Sequence, residues 1–367
     1  MWTIIVATIF ILFAVAALYL VRGIAKVEII KKISKEKKWI GTIISFLAII
    51  IVFTALTALM GKTNSIIIFL HLSACWMIVD LIMYIVKRIS GKVTKKWIAA
   101  LISLALTTVY LGIGMYNAYH VVETQYSITT DKQIDKIRVA LFADSHISTL
   151  FDGQKFAEHM RELEKAKPDI LVIAGDFVDD SSKWDDVKIC CKALGEINCT
   201  YGVFYSPGNH DRGYYNTRDF TYQDLKNELT ANGVKILEDE AVLLNEQFYV
   251  IGRKDKSSEL LGEGRLSMDE MLQGIDKSKY MIVIDHQPGD CANESAGKAD
   301  LVLVGHTHGG QLFPGTFTGE LFGLNELTYG LKKIDETNFV VTSGIADWEL
   351  MFKTGCKSEY VIIDVGD

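Results

Sequence analysis

Leu301-Val302-Leu303-Val304-Gly305-His306-Thr307-His308-Gly309-Gly310 carries the pattern that decides the fold: four apolar residues, then a glycine and two histidines. The pattern has relatives upstream. Lys136–Phe142 runs into Asp144-Ser145-His146, and Ile170–Ala174 runs into Gly175-Asp176-Phe177-Val178-Asp179. Gly202–Tyr205 leads through Pro207 into Gly208-Asn209-His210-Asp211, and Tyr280–Ile284 leads into Asp285-His286. Short wholly apolar runs read as buried strands. Ligand-type side chains at their ends converge on one edge of a sheet. These five clusters hold five of the chain's eight histidines.

Between the runs, helical spacing of apolar residues predicts helices at about 153–166, 184–196 and 221–231. Further strands are expected at Val234–Ile236, Ala241–Leu244, Phe248–Ile251, Phe339–Thr342 and Tyr360–Asp364. Strands that alternate with helices and then dominate suggest an α/β sandwich.

The 367 residues divide sharply by charge. Residues 1–120 contain 13 Lys/Arg and three acids, Glu28, Glu36 and Asp80. Residues 121–367 contain 25 basic and 42 acidic residues, a net of −17. Such a domain excludes nucleic acid as a general partner, because phosphate backbones need clustered Lys/Arg. The six cysteines include no CxxC pair, so a zinc finger is not indicated. A Cys190–Cys199 or Cys191–Cys199 bridge would require an oxidising compartment.

The first 120 residues hold four apolar runs of bilayer length, Trp2–Val21, Trp39–Met60, Ser65–Val86 and Trp97–Tyr116. The loop at 22–38 carries seven Lys/Arg, that at 61–64 one, and that at 87–96 five. Lys/Arg-rich short loops stay in the cytoplasm, so both the N-terminus and the acidic domain are expected outside it. His71 and Asp80 lie within the third run. They are expected to be structural, with His71 hydrogen-bonded to a neighbouring helix. The expected organisation is a four-helix membrane domain at 1–120, a polar linker at 121–135 and a catalytic domain at 136–367.

Carboxylate, imidazole and amide ligands without thiolate suit Mn, Fe or Zn in an open site. A carboxylate can bridge two cations, and two cations can clamp a phosphate. In order, the clusters read D-x-H, G-D-x-x-D, G-N-H-D, a lone H and G-H-x-H. This set resembles the calcineurin-like metallophosphoesterase superfamily over about 136–366. With its membrane spans and Gly-His-Thr-His-Gly-Gly-Gln, the chain looks most like a membrane-associated bacterial branch that includes enzymes similar to UDP-2,3-diacylglucosamine hydrolase. The resemblance implies two packed sheets flanked by helices. It implies one divalent cation on Asp144, His146, Asp176 and His308, and a second on Asp176, Asn209, His286 and His306, with Asp176 shared. It implies in-line attack on phosphorus by a hydroxide between the cations. His210 would then assist the leaving oxygen, Asp211 would orient His210, and Asp179 would support that network.

The expected function is therefore a membrane-anchored phosphoesterase acting on a mono- or diester of an envelope or lipid-linked substrate. Two other readings compete. One is a membrane sensor or interaction protein with a structural or vestigial metal site. The other is a small transporter, which the Pro-free spans disfavour. Gln311 and Arg212 are candidate phosphate contacts. Arg253, Lys254 and Lys256 read as a solvated basic surface, and His159 as an exposed helical residue.

Overall fold

The computed structural model describes residues 2–215 and 217–366. It divides into two compact units, residues up to Ile113 and from Gly114 onward.

The first unit contains α1 (Trp2–Ile24), α2 (Glu28–Ile33), α3 (Lys38–Met60), α4 (Lys62–Ser90) and most of α5 (Lys96–Tyr119). Four of these, all but α2, are long and apolar enough to cross a membrane. Phe13, Phe53 and Phe69 meet edge-on or tilted, and Leu20, Val21 and Trp76 pack around them. Asp80 is not isolated. It takes a 2.8 Å ion pair from Lys96 and a 3.0 Å hydrogen bond from the Tyr19 hydroxyl, which satisfies its charge. His71 differs from expectation in its partner. Nδ1 contacts the Ile67 carbonyl of its own helix at 2.8 Å, while the ring faces Tyr110.

The second unit is built on two six-stranded sheets. Its strands are β1 (Val122–Ile128), β2 (Ile137–Phe142), β3 (Ile170–Ala174), β4 (Gly202–Ser206), β5 (Val234–Ile236) and β6 (Glu240–Leu244), followed by β7 (Phe248–Gly252), β8 (Tyr280–Ile284), β9 (Leu301–Val304), β10 (Gly330–Ile334), β11 (Thr337–Val341) and β12 (Glu359–Val365). One sheet runs β1-β12-β2-β3-β4-β5, the other β10-β11-β9-β8-β7-β6. Helices α6 (Gly153–Glu164), α7 (Trp184–Gly195) and α8 (Tyr222–Ala231) supply apolar side chains to the core on one outer face. The short α9 (Ser257–Leu260), α10 (Met268–Met271), α11 (Cys291–Ala296) and α12 (Gly315–Leu321) lie in the second half.

Period-two alternation explains the layering. Ile170, Val172 and Ala174 of β3 join Phe248, Val250, Ile282, Ile284, Leu301 and Leu303 in the core between the sheets. Leu171 and Ile173 point the other way, onto Phe156, Val187 and Leu194 of the helical layer. Strands buried on both faces must be apolar throughout, so these read clearly in the sequence.

The stretch expected to be a linker, 121–135, needs correction. Residues 122–128 form β1, which pairs in parallel along all of β12. All six cysteines are free, including Cys190, Cys191 and Cys199.

Candidate metal centre

β2, β3 and β4 are parallel neighbours, and so are β8 and β9. All five polar clusters lie just beyond the C-terminal ends of these strands. The loops are themselves laced together: Asp144 N–H donates to the Gly175 carbonyl, His146 N–H to Asp176, and Gly305 N–H to His286. Asp144, His146, Asp176, His306 and His308 all have positive φ, between +36° and +70°. Such backbone costs on the order of 1–3 kcal/mol per non-glycine residue and recurs at functional sites. Gly208 has a different reason to be glycine. A Cβ there would collide with the carboxylate and backbone of Asp176.

Three donor groups result, each with its atoms within 4.8 Å of one another: Asp144/His146/His308, Asp176/His286/His306 and His146/Asp179/His210. Asp176 stands between the first two. Its Oδ2 is 3.1 Å from His286 Nε2 and 3.8 Å from His146 Nε2, while Oδ1 accepts the His210 N–H at 2.8 Å. Asn209 is buried beside them. Its amide nitrogen donates to the Tyr214 hydroxyl, and its oxygen faces Gln287 at 3.5 Å.

The donor chemistry fits divalent cations. His146 is fully buried, yet neither ring nitrogen has a hydrogen-bond partner among the described residues. An unpaired buried imidazole is costly unless something else, such as a cation, meets it. Burial also pushes its pKa well below the usual histidine range, which leaves the neutral ligand form. His286 Nδ1 lies 2.8 Å from the Ala174 carbonyl. A carbonyl only accepts, so Nδ1 carries hydrogen and Nε2 is left to face Asp176. Burial opposes charge on His286, but Asp176 raises its pKa well above normal. The carboxylate that favours a proton there would equally favour a cation. Burial followed by repulsion from His286 lowers His306 to about 4.

Asp211, expected to orient His210, is engaged with backbone N–H groups. Its carboxylate accepts the backbone N–H groups of Val178 and Gly208, at 3.0 and 2.7 Å, and so clamps two of the site loops. The carboxylate beside the His210 imidazole is Asp179, 3.1 Å from Nδ1. Burial works against ionisation of Asp179, but His210 and the Ser181 amide hold it down to about 2. His210 is conversely raised: burial lowers it, and Asp179 and Asp176 more than compensate.

Among the secondary candidates, Arg253 is buried rather than solvated, with Nη1 at 3.0, 2.7 and 3.2 Å from Asp285, Asp290 and Glu294. Arg265 also pairs with Asp285. Lys254 pairs with Asp239 at 3.7 Å, whereas Lys256 is exposed. Arg212 pairs with Glu238 and Glu263. Gln311 has a positive φ, and its side chain faces the Leu350 carbonyl at 3.5 Å. His159 is half-buried against Phe151, not exposed.

Sequence reasoning missed Asp347, Trp348 and Lys353. Asp347 is fully buried and lies 3.3 Å from His308 Nδ1 and 3.3 Å from Lys353 Nζ. The Trp348 and His210 rings are 5.0 Å apart. No local signal marked Asp347, which lies six residues beyond the end of β11, whereas Asp144 and Asp176 lie two beyond β2 and β3.

Residues 137–310 match the family model of calcineurin-like phosphoesterases. An uncharacterized metallophosphoesterase of Aquifex aeolicus is 31% identical over 242 residues, spanning 63% of this chain and 87% of that protein. A second, from Campylobacter jejuni, is 28% identical over 72% of this chain and 68% of its own length. A bovine transmembrane protein with a metallophosphoesterase domain is 26% identical over 70% of this chain and 60% of its own. This chain belongs to the calcineurin-like phosphoesterases and is a metal-dependent phosphoric ester hydrolase. Its four apolar helices associate it with a membrane.

Proposed function

We propose that this chain hydrolyses a phosphoester of a lipid-linked or envelope molecule, at a two-cation site held outside the cytoplasm. One observation carries the two-cation reading: a single Asp176 oxygen faces an imidazole from each of two donor groups. Asp144, His146, Asp176 and His308 would hold one ion, and Asp176, Asn209, His286 and His306 the other. Bound cations of this kind supply Lewis-acid neutralisation of phosphate charge and an acidified water.

The chain's own groups do the rest. His210, whose protonated form its carboxylate neighbours favour, would deliver its proton to the departing oxygen. Asp179 fixes the imidazole through Nδ1, which leaves Nε2 for the substrate. Trp348 and Tyr214 flank His210 and limit how a substrate enters. Asp211 keeps the His210 loop against the Asp176 loop.

The lysine-rich loops at 22–38 and 87–96 support the outward placement. A membrane tether would restrict encounters to two dimensions, which favours substrates that also reside there. Full-length protein with added Mn is expected to hydrolyse p-nitrophenyl phosphate or its bis ester, and full activity in Asp176→Asn would overturn the site. A C-terminal alkaline phosphatase fusion is expected to be active. An inactive fusion beside a bright green fluorescent one would reverse the topology.

A further inference from the structure

Beyond the metal centre, the most unusual surface on the second unit is the segment that follows His308. Residues 309–325 contain a single charged side chain, Glu320, and its carboxylate accepts the Thr328 N–H at 2.9 Å. The apolar residues face out: Phe313 is 57% exposed, Phe317 65%, Leu321 76%, Phe322 70% and Leu324 46%. A water-facing domain does not ordinarily display five large apolar side chains in twelve residues.

The segment is folded. Leu324 N–H donates to Gly319 at 2.8 Å, and Thr307 Oγ1 to Thr328 at 2.6 Å, closing the base of the loop and α12. Phe313 and Phe317 meet edge to face at 6.3 Å. The outward aromatic side chains are therefore held by a fixed backbone.

The neighbouring backbone says what covers them. Phe313 N–H donates to Thr354 Oγ1 at 3.0 Å, and the Thr354 and Gly355 N–H groups donate to the Gln311 carbonyl. Lys353 N–H donates in turn to the Gly114 carbonyl at 2.9 Å, and Asn117 donates to the Lys353 carbonyl at 3.1 Å. Gly114 and Asn117 are in the last turns of α5, an apolar helix of membrane-spanning length. Tyr116, 61% exposed, stacks on His120 there, the kind of aromatic pair that marks a membrane–water boundary. The exposed apolar segment is thus two hydrogen-bonded steps from the last turns of an apolar helix of bilayer-spanning length.

We propose that residues 312–324 form a second membrane contact, in which Phe313, Phe317, Leu321 and Phe322 enter the acyl region of a phospholipid bilayer next to the metal centre. The occupant is lipid, since the neighbouring backbone is hydrogen-bonded to the last turns of an apolar helix of membrane-spanning length. Glu320 is tied to the Thr328 N–H, and the rest of the segment is uncharged. A consequence is that the loop carrying His308, four residues before this segment, is held near the lipid surface, where a lipid-borne phosphoester would be presented. The proposal rests on the reading of the chain as membrane-spanning and is independent of which phosphoester is cleaved.

The test uses the full-length chain, carrying Phe317→Trp or Phe322→Trp, in vesicles of phosphatidylcholine and phosphatidylglycerol. An apolar face of this kind seats ~5–10 Å into the headgroup–acyl boundary, so the added emission should fall by about half when the phosphatidylcholine is acyl-brominated. The unsubstituted chain, with its native tryptophans, supplies the baseline. Emission unchanged by bromination in both variants would overturn the proposal. Emission that instead changes with protein density in the vesicle would replace lipid with a second copy of the chain. Hydrolysis of bis-p-nitrophenyl phosphate by the same vesicles is expected to stay within about twofold of the parent, since neither phenylalanine belongs to the site. A quenched but catalytically inert chain would leave the insertion standing and sink the hydrolytic reading.

Discussion

Asp179 Oδ2 lies 3.1 Å from His210 Nδ1, and the same oxygen is 3.8 Å from His146 Nδ1. One carboxylate thus lies between the proposed acid and a proposed metal ligand. Because Asp179 stays ionised down to about 2, it raises His210 above its ordinary value and favours the protonated ring. A group raised above its ordinary value keeps its proton as pH rises, until the raised pKa is crossed. Activity that needs this proton should therefore fall as pH rises through that raised value, which gives the profile an alkaline limb. Asp179→Asn should move that alkaline limb to lower pH, as read from kcat against pH. An unmoved limb would separate Asp179 from His210 protonation.

His210→Ala tests the acid itself. General acid catalysis is worth ~10²–10⁴-fold when the leaving group needs a proton. The loss should approach that range for an alkyl phosphoester. It should shrink for p-nitrophenyl esters, whose leaving group departs as a stable anion. Equal losses for both substrates would assign His210 to binding or charge stabilisation instead.

His308 is braced from behind. Its Nδ1 lies 3.3 Å from Asp347 Oδ1, while Nε2 faces Asp144 at 3.8 Å. A carboxylate behind a ligating imidazole fixes its orientation and raises its basicity. Its removal typically costs 10–100-fold in metal affinity. Asp347→Asn should weaken one cation by about that factor and spare the other, whose donors Asp347 does not touch. Calorimetric titration with Mn measures both sites. Uniform weakening would indicate a general loss of fold.

Arg253 balances a buried acidic cluster, Asp285, Asp290 and Glu294, directly behind His286. Burial, then Asp285, raises the Glu294 pKa well above the carboxylate range even with Arg253 present. Removing one partner of a buried pair leaves an uncompensated charge and costs ~3–5 kcal/mol. Arg253→Met should lower the melting temperature steeply. Combining it with Asp285→Asn should restore part of the loss, whereas a solvated arginine would show neither effect.

The parts of this molecule that were legible in the sequence share a physical cause. β3, β8 and β9 are buried on both faces, so every residue is apolar and their bounds stand out. The ligand clusters stand out because Asp, Asn and His follow those runs directly. β1 and β10 are edge strands whose outer residues are polar, Glu123 and Gln125 in one, Lys332 and Lys333 in the other. They look like linker and surface. Arg253 was misread for a related reason: its acidic partners come from 285–294, and nothing local reveals them. Asp347 lies in Ser343-Gly344-Ile345-Ala346-Asp347, with no motif around it. Only folding brings it to His308.

His159 offers a pH test outside the metal centre. Burial, then Lys155, lowers it from 6.5 to about 4, and its ring packs 4.8 Å from Phe151. The unfolded chain takes up a proton below about 6.5, whereas the folded chain resists it until about 4. The stability held by the neutral ring is present above the unfolded value and is lost as pH falls through this window. Partial exposure limits the effect to about 1–2 kcal/mol. Chelator-stripped protein should melt at progressively lower temperature from pH 7 to pH 4.5, and His159→Gln should flatten part of that slope. Stripping the metals keeps ligand protonation from contributing through cation release. If His159→Gln and the parent showed parallel curves, His159 would be charged in the folded state, and its packing against Phe151 would not be that of a neutral ring.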